Sequence, residues 1–376
     1  MKKSYIISGV VVVVLIVLIF VAGGKKSNTN EPIKIGIITH TTGNIAFLGE
    51  NIVKSANLTL KEINKNKEYG DVEIIVEDIG DFSGNASRAL SAFQKLSEID
   101  GVKYIINGMS SDATMAIAPL IDKNKIVVVT PLTGGENVDN AAEYLFRNGP
   151  SDIIAGTKPA KDIYQFGHKK VAILIDNAEY TLDIAKHFRE AYEGEIVSDQ
   201  IVVPDKNDYR TEVAKLKSSN PDAIFIATAT GVSAQYLIKQ IGELGIKTPI
   251  FANFIAYGPD LLKVAGNYAE NVYIYDPEFN ENSPEVKKFL ADYVLEYGGD
   301  PVIKFHSTGV YDALRMGLDA IKSVGYDGEK IHTYLLDAIK NWPGLNGSVT
   351  FDEKGNANTG FILKQIKNKN LILVQS

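Results

Sequence analysis

The stretch GMSSDATMAIAPLIDKNKIVVVTPLTGG, residues 108–135, restricts the fold more than any other part of this chain. It follows an apolar run at 102–106 that reads as a buried parallel strand. It opens with small hydroxylated residues and continues as a helix through Ala113, Met115, Leu120 and Ile121. The chain then re-enters a sheet at 126–129 and turns out at Thr130 and Pro131. Strand, polar turn, helix, strand, polar turn is a βαβ unit. Both turns leave the carboxyl ends of parallel strands, where open α/β sheets bind ligands. Ser110, Ser111 and Asp112 stand at the helix start. Two readings remain open for them: a plain helix cap, or an anion site built on the free N–H groups.

The same alternation runs along the chain. A strand at 33–38 precedes a helix marked by Ile52, Val53, Ala56, Leu60 and Ile63. A strand at 72–76 precedes a helix marked by Ala86, Leu90, Phe93 and Leu96, and a short strand stands at 144–147. A second series repeats the pattern. Helices at 153–165, 181–192, 211–217 and 233–244 alternate with strands at 170–175, 196–203, 223–228, 249–252 and 272–275. Such alternation predicts an α/β fold of two doubly wound parallel-sheet lobes. Long helices follow at 284–297, 308–324 and 329–340. The tail reads as a hairpin of 347–351 with 360–366 around a turn at 352–356, then a last strand at 371–374.

A length of 376 residues suits two such lobes. A net charge of −7 offers no basic surface for nucleic acid. Without cysteine there is no disulfide, no thiolate chemistry and no lipid-modified cysteine. Neither a G-x-G-x-x-G after the first strand nor a G-x-x-x-x-G-K-[ST] is present, and no serine sits in a G-x-S-x-G elbow. His40, His168, His187, His306 and His332 show no metal-ligand spacing. No catalytic residue, cofactor or metal is therefore expected, and nothing marks an enzyme. At the N-terminus, Lys2 and Lys3 precede an apolar run at 5–22 that is long enough to span a bilayer. Its length favours an uncleaved anchor, and a signal cleaved at Val21-Ala22-Gly23, leaving a chain that begins near Gly24, is the alternative. Either way the rest of the chain lies outside the cytoplasm.

Four stretches carry a resemblance. They are IKIGIITHTTGNIAFLGENIVKSANLTLKEIN, the 108–135 unit with its strand-then-Thr-Pro turn, VAILIDNAEYTLDIAKHF and GSVTFDEKGNANTGFILKQIKN. In this order, from Ile33 onward, the chain resembles the periplasmic leucine/isoleucine/valine-binding proteins, the type I substrate-binding fold of ABC transporters. That resemblance implies two lobes joined by three hinge crossings, near 146–155, 275–282 and 342–347, closing on a ligand. It assigns 1–31 to the anchor or signal and linker, 32–149 plus 281–345 to the first lobe, and 150–280 plus 346–376 to the second. It implies a ligand carboxylate at Ser111, with Met109, Leu132 and Thr133 beside it, an aromatic from the second lobe at Tyr180, and Phe47 or Leu48 at the rim. The positions that grip an amino-acid ammonium align with Ala229 and Phe254, whose side chains cannot accept a hydrogen bond. The implied partners are a small carboxylate-bearing ligand, amino acid or analogue, an ABC permease, and the membrane through the N-terminal helix. A ligand sensor of the same fold and an extracellular α/β enzyme stand as alternatives. A transcription regulator is disfavoured because the apolar run occupies the place of a DNA-binding headpiece.

Overall fold

Strands buried on both faces must be apolar along their length, and such runs form the middle of each sheet. The computed structural model describes residues 31–43, 45–81, 84–258, 260–357 and 359–374. In the first sheet, β1 (Ile33–Thr39), β2 (Val72–Asp78), β3 (Tyr104–Gly108), β4 (Val127–Thr130) and β5 (Leu145–Arg147) take the order β2-β1-β3-β4-β5, all parallel. Every residue of β3 and β4 is buried, whereas the edge strand β2 is mostly half-exposed.

The second sheet repeats the plan. Strands β6 (Lys170–Asp176), β7 (Glu195–Val202), β8 (Ala223–Ala227), β9 (Ile250–Asn253) and β10 (Tyr273–Pro277) are parallel in the order β7-β6-β8-β9-β10. The strand order within each sheet is thus the same.

Helices cover both sheets: α1 (Ala46–Asn66), α2 (Ala86–Gln94) and α3 (Ser111–Asn124) in the first series, then α4 (Asp152–Gln165), α5 (Glu179–Ala191), α6 (Arg210–Ser218), α7 (Gly231–Glu243) and α8 (Leu261–Ala265) in the second. Helices α9 (Pro284–Tyr297), α10 (Lys304–Val324) and α11 (Gly328–Ala338) follow. Helix α10 returns to the first sheet, where Val310, Ala313 and Leu314 share a core with Ile35, Ile105 and Val128. The Tyr104 hydroxyl donates to the Ala313 carbonyl at 2.6 Å. Gly317 permits that approach, because a Cβ there would lie 2.4 Å from the tyrosine ring. The second sheet carries a core on each face, one around Leu174, Ile226 and Leu237 and one around Ile173, Phe188 and Phe225.

The tail departs from the sequence expectation. Residues 347–351 and 360–366 do not form a hairpin with each other. Instead β11 (Trp342–Gly344) pairs antiparallel with β12 (Gly347–Val349), while β13 (Phe361–Lys367) pairs antiparallel with β10 and with β14 (Asn370–Leu373). Burial explains the separation. Val349 and Phe351 sit in the core of the first sheet, whereas Phe361, Leu363 and Ile366 sit in the cores of the second. The turn between them closes a single bridge, Phe351 with Ala357. The segment 342–347, where the third crossing is expected, precedes Val349 and Phe351, which still pack with the first sheet, while Phe361 packs with the second. That earlier segment is held on α10 by the Asp312 carboxylate, which accepts from Leu345 N–H at 2.6 Å and Asn346 N–H at 2.9 Å.

The apolar run at 5–22 lies outside the described residues, and so does the anchor or signal expected there. Among the described residues no helix is long and apolar enough to cross a membrane.

Candidate functional site

The strands β3, β4, β6, β8 and β9 send the turns after Gly108, Thr130, Asp176, Ala227 and Asn253 toward a common cleft, as open α/β sheets do at their carboxyl ends. Two cavities occupy it. One, of about 520 Å³, is lined largely by residues of polar type, among them Ser111, Glu136, Tyr180, Asp183 and Lys186, with Gly135 beside them. The other, of about 530 Å³, is lined mainly by apolar side chains, with Phe47, Val302 and Ile303 facing Ala229, Phe254 and Tyr257. Each draws on both sheets.

Hydroxyl groups brace the floor of the polar cavity. Met109 N–H donates to Asn107 Oδ1 at 2.9 Å, and Asn107 Nδ2 donates to Thr114 Oγ1 at 2.8 Å. The Thr133 hydroxyl donates to the Met109 carbonyl at 2.9 Å, and Thr133 N–H donates to Thr130 Oγ1 at 2.9 Å. These bonds fix the turn after β3 against the turn after β4. Ser110 is the N-cap of α3, in extended backbone, yet its side chain does not cap. Its hydroxyl donates to the Asp112 carboxylate instead. The neighbouring Ser111 hydroxyl has no protein partner among the described residues and borders the cavity at the helix start. A free hydroxyl beside free N–H groups suits an anion. Gly135 keeps the space open, since a Cβ there would lie 2.7 Å from Ser111 Oγ and 2.8 Å from Asn137 Oδ1.

From the opposite side, Tyr180 enters on the first turn of α5, and Asn253 Nδ2 donates to its hydroxyl at 3.2 Å. Burial, reinforced by the charge of Asp152, pushes the phenol pKa up, so the group stays a neutral hydroxyl. Asn253 is otherwise spent on Thr228, donating to its carbonyl at 2.9 Å and accepting from its N–H at 3.1 Å. Carboxylates at the cavity wall also have partners. Glu136 pairs with Lys186, Glu179 accepts from Asn137 Nδ2 at 2.8 Å, and Asp183 accepts from Glu136 N–H at 2.7 Å. Behind the wall, burial and then the Asp183 charge raise Asp152 well above the usual carboxylate range, against the opposing pull of Arg147.

In the apolar cavity the Phe254 ring meets His306 edge-on, with centroids 5.6 Å apart. Burial pushes His306 down to about 4, so this imidazole is neutral. Ala229 contributes its N–H to Asp176 Oδ2 at 2.9 Å, and burial lifts that carboxyl to about 6. Thr230 lines the cavity with its hydroxyl on Asp205, and Asp276 is held by Lys364 at 2.6 Å.

Over residues 32–370 the chain matches the family described as periplasmic binding protein. It belongs to that family. A leucine/isoleucine/valine-binding protein homologue of Brucella melitensis is 22% identical over 329 residues, covering 85% of this chain and 83% of its own. Among solved structures, the branched-chain amino acid binding protein LivJ of Streptococcus pneumoniae, bound to isoleucine, is 25% identical. It superposes with a TM-score of 0.82 over 92% of this chain and 100% of its own. A solute-binding protein of Rhodopseudomonas palustris, bound to p-hydroxybenzoic acid, is 22% identical with a TM-score of 0.80 over 92% of this chain and 96% of its own. The family is one of transport binding proteins that work outside the cytoplasm, not of enzymes.

Of the residues singled out in the sequence of this binding protein, the structure brings Ser111 and Tyr180 to the polar cavity. It brings Phe47, Ala229 and Phe254 to the apolar one. Met109, Leu132 and Thr133 line neither. Met109 is fully buried in the core, Leu132 packs against that core, and Thr133 braces the turns. Sequence reasoning passed over Gly135, Glu136, Asp183 and Lys186, and also Val302, Ile303 and Tyr257. One signal was available: Glu179, Asp183 and His187 recur every fourth residue and so share a face of α5.

Proposed function

We propose that this protein is the solute-binding subunit of an ABC transporter and captures a small carboxylic acid between two closing lobes. The carboxylate sits at Ser111 and the start of α3, and an apolar or aromatic body extends along Phe47, Val302, Ile303 and Phe254. The observation that carries this reading is the unpartnered Ser111 hydroxyl at a helix start, opposite Tyr180 and beside an apolar chamber. Isoleucine and p-hydroxybenzoic acid, bound by two proteins of similar structure, have a carboxylate in common. An ammonium buried here would need acceptors of its own. Ala229 and Phe254 provide none through their side chains, and the polar-cavity carboxylates already have partners. The body of the ligand is therefore preferred apolar over zwitterionic. Contacts to both lobes favour the closed form. The apolar run at 5–22 keeps the protein at the membrane, beside its permease.

Native mass spectrometry of the full chain purified from its host tests the reading. A retained small carboxylic acid, lost from Ser111→Ala, is expected. A retained ligand without a carboxylate, or one kept equally by the variant, contradicts it.

A further inference from the structure

Beside the polar cavity, which Glu136 and Asp183 line, three side chains from two halves of the molecule converge. Glu136 stands on a short turn after β4 of the first sheet, and Asp183 and His187 stand one turn apart on α5 of the second. One ligand-type atom from each lies within 4.8 Å of the others. His187 Nε2 is 3.3 Å from Glu136 Oε2 and 3.5 Å from Asp183 Oδ1. Yet this nitrogen makes no hydrogen bond, on a side chain only 7% exposed. We infer that Glu136, Asp183 and His187 form a binding site for a divalent transition metal of the zinc class, which clasps the two halves together.

Geometry supports the assignment. Ligand atoms about 2.0–2.1 Å from one tetrahedral metal lie roughly 3.3–3.4 Å from each other, close to the two separations seen here. The nitrogen and the oxygens are thus spaced as neighbours around an ion. One imidazole and two carboxylates form a donor set suited to zinc, and Glu136 and Asp183 also line the polar cavity. The outer contacts are those a metal site needs. Glu190 Oε2 lies 3.4 Å from His187 Nδ1, positioned to orient the ring. Asp183 Oδ2 accepts from Glu136 N–H, which leaves Oδ1 facing His187. Lys186 is the competitor, because its ammonium pairs with the same Glu136 oxygen. It must swing aside for the ion to enter. The site goes beyond the capture of a carboxylic acid and does not depend on it: the metal alone should favour the closed form, since its ligands come from opposite sides of the cleft.

Zinc alone, titrated by calorimetry into the ligand-free full chain, provides the test. One ion per chain is expected. Replacing a ligand should weaken binding at least as much as losing an outer contact does, so His187→Ala and Glu136→Gln are each expected to lose about 100-fold or more. Glu136→Gln keeps shape and volume on a half-exposed turn, so it reports even if His187→Ala unfolds. Lys186→Met should bind several times more tightly than the wild type. Small-angle scattering should show zinc contracting the wild type but not Glu136→Gln. Failure of the wild type to bind zinc overturns the proposal. Equal affinity in Glu136→Gln, or weaker binding in Lys186→Met, places the ion elsewhere and also overturns it.

Discussion

The two ends of the cleft are built from the same kind of strand-end turns, yet they differ in what their polar atoms do. At the Ser111 end, one hydroxyl and a helix start face open space while every surrounding hydroxyl braces the scaffold. At the Phe254 end, aromatic and branched side chains dominate the lining, although Asp205, Thr230, Gln235 and Asp260 also border it, and the His306 imidazole is kept neutral. Rigid polar scaffolding that leaves a few donors free is the usual way to orient a charged group, and an apolar chamber supplies affinity without direction. Under the proposed function, this contrast corresponds to an amphipathic ligand with its charge at one end only.

The contrast can be broken from the polar end first. Gly135→Leu places a side chain where Ser111 Oγ would lie 2.7 Å from its Cβ. Forced overpacking of this sort costs about 1–3 kcal/mol of stability. That strain falls on the folded protein, so the melting temperature should drop, and ligand binding should be lost as the side chain fills the space at Ser111. Unchanged affinity would mean that the ligand does not enter the polar cavity.

The apolar end makes a prediction in pH. His306 is held at about 4, below its ordinary 6.5. A group whose folded pKa is depressed contributes stability above its unfolded pKa, and that stability is lost as pH falls through the folded value. The window here runs from about pH 6.5 down to about 4, and the loss amounts to at most roughly 3 kcal/mol. His306→Leu should remove this part of the acid sensitivity, as measured by denaturant melts at pH 7 and pH 4. An identical pH dependence in the variant would show that the imidazole is not buried neutral.

Smaller effects sharpen the picture. Ser111→Ala should weaken binding by about 1–3 kcal/mol, the range for a hydrogen bond to a charged group. Stability should barely move, since the hydroxyl bonds no group among the described residues. A variant that melts earlier but binds as before would return Ser111 to a structural role. Phe254→Leu keeps an apolar wall but removes a ring. An aromatic carboxylic acid should lose about 0.5–1.5 kcal/mol of binding and a branched aliphatic one very little. Equal losses for both would take Phe254 out of contact with the ligand body.

Most of the scaffold was legible because buried parallel strands have to be continuous apolar runs, as at 223–227, and the βαβ plan leaves few ways to order them. The tail was not. Phe351 and Phe361 read as partners across a turn, but local pattern carries no information about which of two cores each will enter. Turn chemistry pointed to Ser111, which begins a helix at a strand end, whereas Tyr180 came only from the family resemblance. Turn chemistry could not separate Ser111 from Thr133, whose hydroxyl type is equally suited to a ligand and whose bond to Met109 depends on the neighbouring turn. Nor could spacing bring Glu136 to Asp183, which lie 47 residues apart and meet only when the two halves do.

The claim that charge recognition is confined to one end is tested most directly by titrating leucine beside its 2-keto analogue into the full chain by calorimetry. The two share a carboxylate and an isobutyl body and differ at the ammonium. The account predicts that the keto acid binds more tightly than leucine and that Ser111→Ala weakens it. Leucine binding in the micromolar range, roughly −8 kcal/mol, with no heat from the keto acid, would contradict it.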